Sequence, residues 1–222
     1  MNNILLVLIF NFILTDSNSI QSTVTPIYSV QNNSIIVKSE FISRMNNVYC
    51  SEITPYTTVD SVYFQSLDAQ DGYLVTMCRY KGWDGEAGDF QAIDIKRNSK
   101  SIFKLDNQDG WVTQPSLLCP SNNVLSYVEH LDSSTVLLYL VGYAYNSNPG
   151  FLTLIILKEG QAYIIFNKEY AVNQIEKTDG RLTINLSDRY EEYAETSATP
   201  VNNPSKHKIT WENGVLNFSG PY

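Results

Sequence analysis

Few side chains in this chain are able to do chemistry, so their spacing can be weighed one at a time. The 222 residues hold two histidines, His130 and His207, and three cysteines, Cys50, Cys78 and Cys119. A zinc site built from these types needs closely spaced ligand pairs, and neither Cys-x-x-Cys nor His-x-x-x-His occurs. Nucleophile and base pairs meet in space rather than in sequence, but no Gly-x-Ser-x-Gly elbow accompanies either histidine. His130 closes a predicted strand over 124–130, where a surface or turn role is the expectation. No residue is assigned a catalytic role.

Carboxylates are the next candidates. Residues 83–89, Trp-Asp-Gly-Glu-Ala-Gly-Asp, place three acids in a glycine-rich turn, and Asp106-Asn-Gln-Asp109-Gly110 places two. Calcium takes oxygen ligands from such loops, but the EF-hand spacing fails in both. Asp and Gly at a turn are explained by turn geometry alone. Gly82, Gly85 and Gly88 match neither phosphate-loop pattern. No metal and no cofactor are assigned. Cleavage of a glycoside would need two acids facing each other across a cleft; no pair stands out, and an exported carbohydrate-active hydrolase is the alternative reading.

What remains is binding chemistry. Tyrosine occurs 15 times, several times among Asn, Ser and Gly. The clearest case is Tyr143-Ala-Tyr145-Asn146-Ser-Asn-Pro-Gly150; Tyr190-Glu-Glu-Tyr193 adds an acidic aromatic patch, and Trp83 with Asp84 and Trp111 sit beside glycine turns. Tyr and Trp supply contact area at low entropic cost while Ser, Asn and Gly adapt. The structural alternative is that these rings stack across strands. The interface candidates are Tyr143, Tyr145, Asn146, Trp83, Asp84, Tyr190 and Tyr193. Asn-x-Ser sequons at Asn32, Asn185 and Asn217 matter only in a host that glycosylates exported chains.

Export is the expectation set by the first nineteen residues. An apolar run over 4–14 is followed by small polar residues ending Ser17-x-Ser19. It reads as a cleaved signal, too short to span a bilayer. Its only positive charge is the α-amino group. A single β-rich domain over 20–222 is then expected, secreted or periplasmic. The net charge of −8 becomes −7 once Asp16 leaves with the signal. That disfavours nucleic acid, which requires a basic footprint, and suits a basic protein partner or plain solubility. In an oxidising compartment the three cysteines allow one bridge, Cys50–Cys78, Cys50–Cys119 or Cys78–Cys119, with one thiol left over. The alternative is three buried thiols.

The elements that must hold these residues read as strands almost throughout. Apolar and β-branched segments at 27–31, 34–38, 73–80, 92–95, 101–105, 135–141, 151–157 and 162–166 alternate with turn residues. The run Thr135-Val-Leu-Leu-Tyr-Leu-Val141 predicts a central strand covered on both faces. Asp179-Gly180 and Asn213-Gly214 lie between alternating segments and predict type I′ hairpins. Residues 40–48 and 188–195 are expected to form short helices, with Ser187 or Asp188 as cap. The fold class is all-β, an antiparallel hairpin-rich sandwich or open barrel. Glycines at 72, 110, 150, 180 and 214 raise a small propeller-like repeat as the alternative. The functional expectation is an exported, non-enzymatic, inhibitor or immunity-type binding protein, with a structural or ligand-binding β-module as a further alternative.

Overall fold

A computed structural model describes residues 24–32, 34–43, 56–68, 71–81, 88–112, 128–144, 148–178, 180–190 and 204–220. Local turn chemistry sets most of the strand boundaries. Asn98 and Ser99 (φ 50° and 62°), Glu159 and Gly160 (52° and 71°) and Asn213 and Gly214 (51° and 78°) each form a two-residue turn with both residues left-handed. Such turns match the right-handed twist of the strands that they join.

Among the described residues fourteen antiparallel strands result: β1 (Val24–Gln31), β2 (Ser34–Val37), β3 (Tyr56–Gln65), β4 (Gly72–Tyr80), β5 (Phe90–Arg97), β6 (Lys100–Trp111), β7 (Val128–His130), β8 (Val136–Val141), β9 (Phe151–Lys158), β10 (Gln161–Glu169), β11 (Ala171–Thr178), β12 (Arg181–Ser187), β13 (Lys206–Glu212) and β14 (Val215–Ser219). They form three sheets. An outer sheet has the order β3-β4-β5-β6, a middle sheet β10-β9-β8-β7, and a second outer sheet β11-β12-β13-β14-β1-β2. The chain thus runs through three successive four-strand meanders, and β1 returns the N-terminal part to the last of them by pairing with β14. No sheet closes into a barrel, and the packing is that of a β sandwich.

The middle sheet explains the long apolar runs. Every residue of β8 is buried. Its alternate side chains Leu137, Tyr139 and Val141 join the core shared with the six-stranded sheet, while Val136, Leu138 and Leu140 join the core shared with β3–β6. β9 divides likewise, Leu152, Leu154 and Ile156 against Ile155 and Leu157. Each such side chain contributes roughly 1.5–3 kcal/mol on burial.

Three expectations change. The helix expected over 40–48 is replaced, as far as it is described, by a single 3₁₀ turn at Ser39–Phe41, after which Ile42 bridges Asn167. Phe41 is the reason: it is buried against Phe166 and Phe218, at ring separations of 6.0 and 5.7 Å. Of the helix expected over 188–195, residues 188–190 form a bend and the rest lie outside the described residues. Ser187 lies within β12 and donates to the Arg189 carbonyl at 2.6 Å, and the Asp188 carboxylate accepts Ser205 N–H at 3.0 Å. Both candidate caps therefore hold the start of a connection whose residues 191–195 lie outside the described residues. Finally, Asp106-Asn-Gln-Asp109-Gly110 lies within β6 and not in a connection between strands, its residues 107–110 forming a bulge between the Ala92–Asp106 and Phe90–Trp111 pairs. The regularly spaced glycines also fall at unlike places: Gly180 and Gly214 in tight turns, Gly110 inside a strand, Gly72 at a strand start.

Candidate functional site

Antiparallel meanders send consecutive connections to opposite ends of the sheets. At one end the links are short, at 98–99, 159–160, 179–180 and 213–214, with 66–71 and 131–135 the longest of them. At the other end leave and return the connections 38–55, 81–89, 112–127, 142–150 and 188–205. The residues singled out for binding, Trp83, Asp84, Tyr143, Tyr145, Asn146, Tyr190 and Tyr193, all belong to this second group. Tyr143 and Tyr190 are described and half-buried. Trp83, Asp84, Tyr145, Asn146 and Tyr193 lie outside the described residues, as do Cys50 and Cys119. Cys78 is buried in β4, 3% exposed.

The described stems of 81–89, 112–127 and 142–150 are bonded to one another, whereas at 188–205 Asp188 N–H donates to Ser205 O across its own connection (3.3 Å). Gly88 N–H donates to Asp109 O (2.9 Å), Asp89 N–H to Trp111 O (2.8 Å), Tyr143 N–H to Gly110 O (3.1 Å) and Val112 N–H to Val141 O (3.0 Å). Gln91 ties both stems of 81–89, donating to Gly88 O at 2.9 Å and accepting Tyr80 N–H at 3.3 Å. The backbones of Gly142 and Gly150 lie against each other so closely that a Cβ on either would overlap main-chain atoms of the other strand stem. Only glycine permits that approach.

Two buried polar groupings brace this end, and neither is evident from the sequence. Trp111 Nε1 donates to Thr153 Oγ1 (3.1 Å), which donates to Asn167 Oδ1 (2.6 Å). The Asn167 amide donates to Ser43 O, and Ser43 Oγ donates back to Asn167 O at 2.7 Å. This chain links an outer sheet, the middle sheet and the stem of 38–55. The second grouping is Asp106, 3% exposed. Its carboxyl accepts Tyr56 OH at 3.0 Å and Tyr80 OH at 2.7 and 2.9 Å. The two rings stand 4.9 Å apart. Burial raises the Asp106 pKa, against the lowering effect of the phenol bonds, and burial also raises the Tyr56 phenol. The paired acid flagged in the sequence was thus informative for a different reason: Asp106 clamps the two tyrosines at the ends of β3 and β4.

A cleft of ≈ 80 Å³ lies beside this clamp, lined among others by Asp106, Asn107, Asp109, Trp111 and Asn167. It has room for a few waters, well short of the 300–1,000 Å³ of small-molecule sites. A larger, open depression of ≈ 410 Å³ lies on the six-stranded sheet between Asn173, Gln174, Asn185 and His207. There His207 stands edge-on to Tyr170 at 5.5 Å. Among the described residues no group of three or more His, Cys, Asp or Glu is placed to hold a metal. No protein-family model, curated protein or solved structure matches this chain.

Proposed function

We propose that this chain is an exported, non-enzymatic binding protein, secreted or periplasmic, that holds a protein partner with the end bearing its long connections. An inhibitor or immunity-type role is the most concrete form. The supporting observation is the bonding of the stems to one another through Gly88, Gly110, Trp111 and Tyr143. Segments rich in Tyr, Trp and Asn thereby leave the sheets from a common, braced platform. Rigid bases reduce the ordering cost that a loop interface otherwise carries on binding. The chain's net charge of −8 suits a basic partner. Export through residues 1–19, and one disulfide among Cys50, Cys78 and Cys119, belong to the same proposal. No helix among the described residues is long and apolar enough to cross a membrane.

The test is capture from an envelope or secreted extract of the host by the chain recovered after export. A basic protein retained at low salt and weakened at higher salt is the expected result, because exposed charge attraction is screened. Replacing Tyr143 and Tyr145 with Ala should weaken capture while leaving thermal unfolding unchanged. Recovery of no protein across low and moderate salt would sink the proposal. Undiminished capture by the double variant would clear that connection of the role.

A further inference from the structure

Among the described residues the three sheets have six edge strands, and four of these carry features that discourage pairing with another chain. β2 is short, at 4 residues, and of β7 three residues are described. β11 exposes Glu176 and Lys177 and has a register shift between Val172 and Gln174. β10 is shifted between Ile164 and Phe166 and ends in Lys168 and Glu169. β6 carries Lys100, Lys104, Asp106 and Asp109, with two register shifts in its pairing to β5. Natural edges are blunted by such charges, bulges and short lengths.

β3 differs. Its 10 residues include one charge, Asp60, and its single register shift lies between Thr58 and Asp60. Beyond it, Ser61-Val62-Tyr63-Phe64-Gln65 pairs regularly with β4, carries no charge, and leaves Tyr63 62% exposed. Ser61 N–H is bonded to the Asp60 carboxylate at 2.6 Å. That places the backbone groups of Ser61 on the side away from β4, and by the alternation of an antiparallel ladder those of Tyr63 and Gln65 with them.

We propose that β3 pairs antiparallel with β3 of a second copy of this chain, about a two-fold axis at Tyr63. A two-fold interface must be complementary to itself, and this register is. Tyr63 faces its own copy, Val62 faces Phe64, and Ser61 faces Gln65 with no charges opposed; on pairing, Ser61 N–H exchanges the Asp60 carboxylate for the Gln65 carbonyl of the second copy. Val62 and Phe64 already pack against the core beneath β3–β6, so pairing would extend that core across the axis. Two four-stranded sheets become one of eight strands. In a chain of net charge −8, this uncharged stretch is where two copies can approach with least repulsion. The proposal is independent of the binding role given to the long connections.

Sedimentation velocity on the chain recovered after export, from about 1 to 100 μM, tests it, the range in which weak association is resolved. A monomer–dimer equilibrium strengthened by salt is expected. Tyr63→Lys, which sets two ammonium groups opposite each other, should weaken dimerisation at least ~10-fold with unchanged thermal unfolding, since one pair of like charges at an interface costs several kcal/mol. Tyr63→Cys should cross-link two copies under oxidation and release them on reduction, unlike the parent chain, because directly opposed residues fall within disulfide reach. A monomer at all concentrations would overturn the proposal. So would a dimer indifferent to Tyr63→Lys, or protection of β3 amides only when a different protein is added.

Discussion

The two ends of this molecule are built from the same strands but held by different means. At the short-link end the turns are local: Asn213-Gly214 needs nothing but its own backbone preference, and a Cβ at Gly214 would meet no atom within 4 Å. The ties there are largely electrostatic. Arg97 pairs with Asp71 at 2.5 Å, Lys177 with Glu129 at 2.5 Å, and Asp71 also accepts Gly160 N–H at 3.0 Å. Both ends carry buried bonds between residues distant in sequence, Asp71 with Gly160 N–H at the short-link end and Trp111 with Thr153 at the long-connection end, but at the latter the bond belongs to a chain of neutral groups that continues through Asn167 to Ser43. Local turns specify register, whereas buried cross-sheet bonds fix where long segments leave the body.

The same substitution at both ends should separate these two kinds of constraint most widely. Gly142→Ala or Gly150→Ala drives a methyl into main-chain atoms, and should cost on the order of 3 kcal/mol or more, as overpacking with backbone displacement does. Gly214→Ala has open space and pays only for φ +78°, about 1–2 kcal/mol. Urea unfolding measures both. Equal costs would mean that the glycine junction is not a close contact, and the braced platform would lose its strongest support.

The polar chain is the next place to strike. Thr153→Val keeps shape and removes the hydroxyl shared by Trp111 and Asn167. Two buried polar groups then lack a partner, at about 1–3 kcal/mol each when unrelieved. Thr183→Val, on the half-exposed face of β12, should stay within about 0.5 kcal/mol as a surface change. A calorimetric loss no larger for Thr153 than for Thr183 would show that the cross-sheet bonds do not brace this end.

Why the sequence reveals one end better than the other follows from these bonds. Asn213-Gly214 and Asp179-Gly180 announce their turns because the information is in adjacent residues, and β8 announces its double burial through uninterrupted apolar character. Asp106-Asn-Gln-Asp109-Gly110 looks like a hairpin tip for the same local reason, yet lies inside β6, where residues 107–110 bulge between the Ala92–Asp106 and Phe90–Trp111 pairs. Nothing near Thr153 or Asn167 in sequence marks them as partners of Trp111 and Ser43. The described start of the expected helix, residues 40–43, leaves helical geometry because Phe41 finds an aromatic cluster contributed by β10 and β14. The long connections are legible as binding candidates by composition, but their convergence is a property of the meander.

Two aspartates extend the comparison to pH, with opposite signs. Asp106, at the long end, has its folded pKa raised by burial. The folded chain then binds its proton more tightly than the unfolded chain, so stability falls as pH rises from the usual aspartate value through the folded one. At Asp132, in the 131–135 turn, burial is outweighed by bonds from Ser134 and Thr135 and by Lys158, and the folded pKa is lowered. Its stabilisation is present above the usual value of 3.8 and is lost as pH falls through the folded one. Urea midpoints between pH 3 and 7 should therefore show Asp106→Asn gaining on the parent as pH rises and Asp132→Asn losing ground. Parallel profiles for the two variants would break the contrast.

The smallest effect sharpens the account of the short-link end. Ser99 sits at φ 62° in the β5–β6 turn, a left-handed position that Asn, Asp and Gly tolerate and serine does so less readily. Its hydroxyl has no role in that geometry, unlike Ser101, whose side chain donates to Asp94 at 2.7 Å. Ser99→Gly should therefore relieve strain in the folded chain while adding freedom to the unfolded one. Relief of about 1–2 kcal/mol against an entropic loss of about 0.4–1 kcal/mol leaves a net gain of roughly 0.5–1 kcal/mol. Thermal unfolding resolves that difference. No gain would mean that the turn is held by its strands and not by its own two residues, and the short end would then resemble the long one.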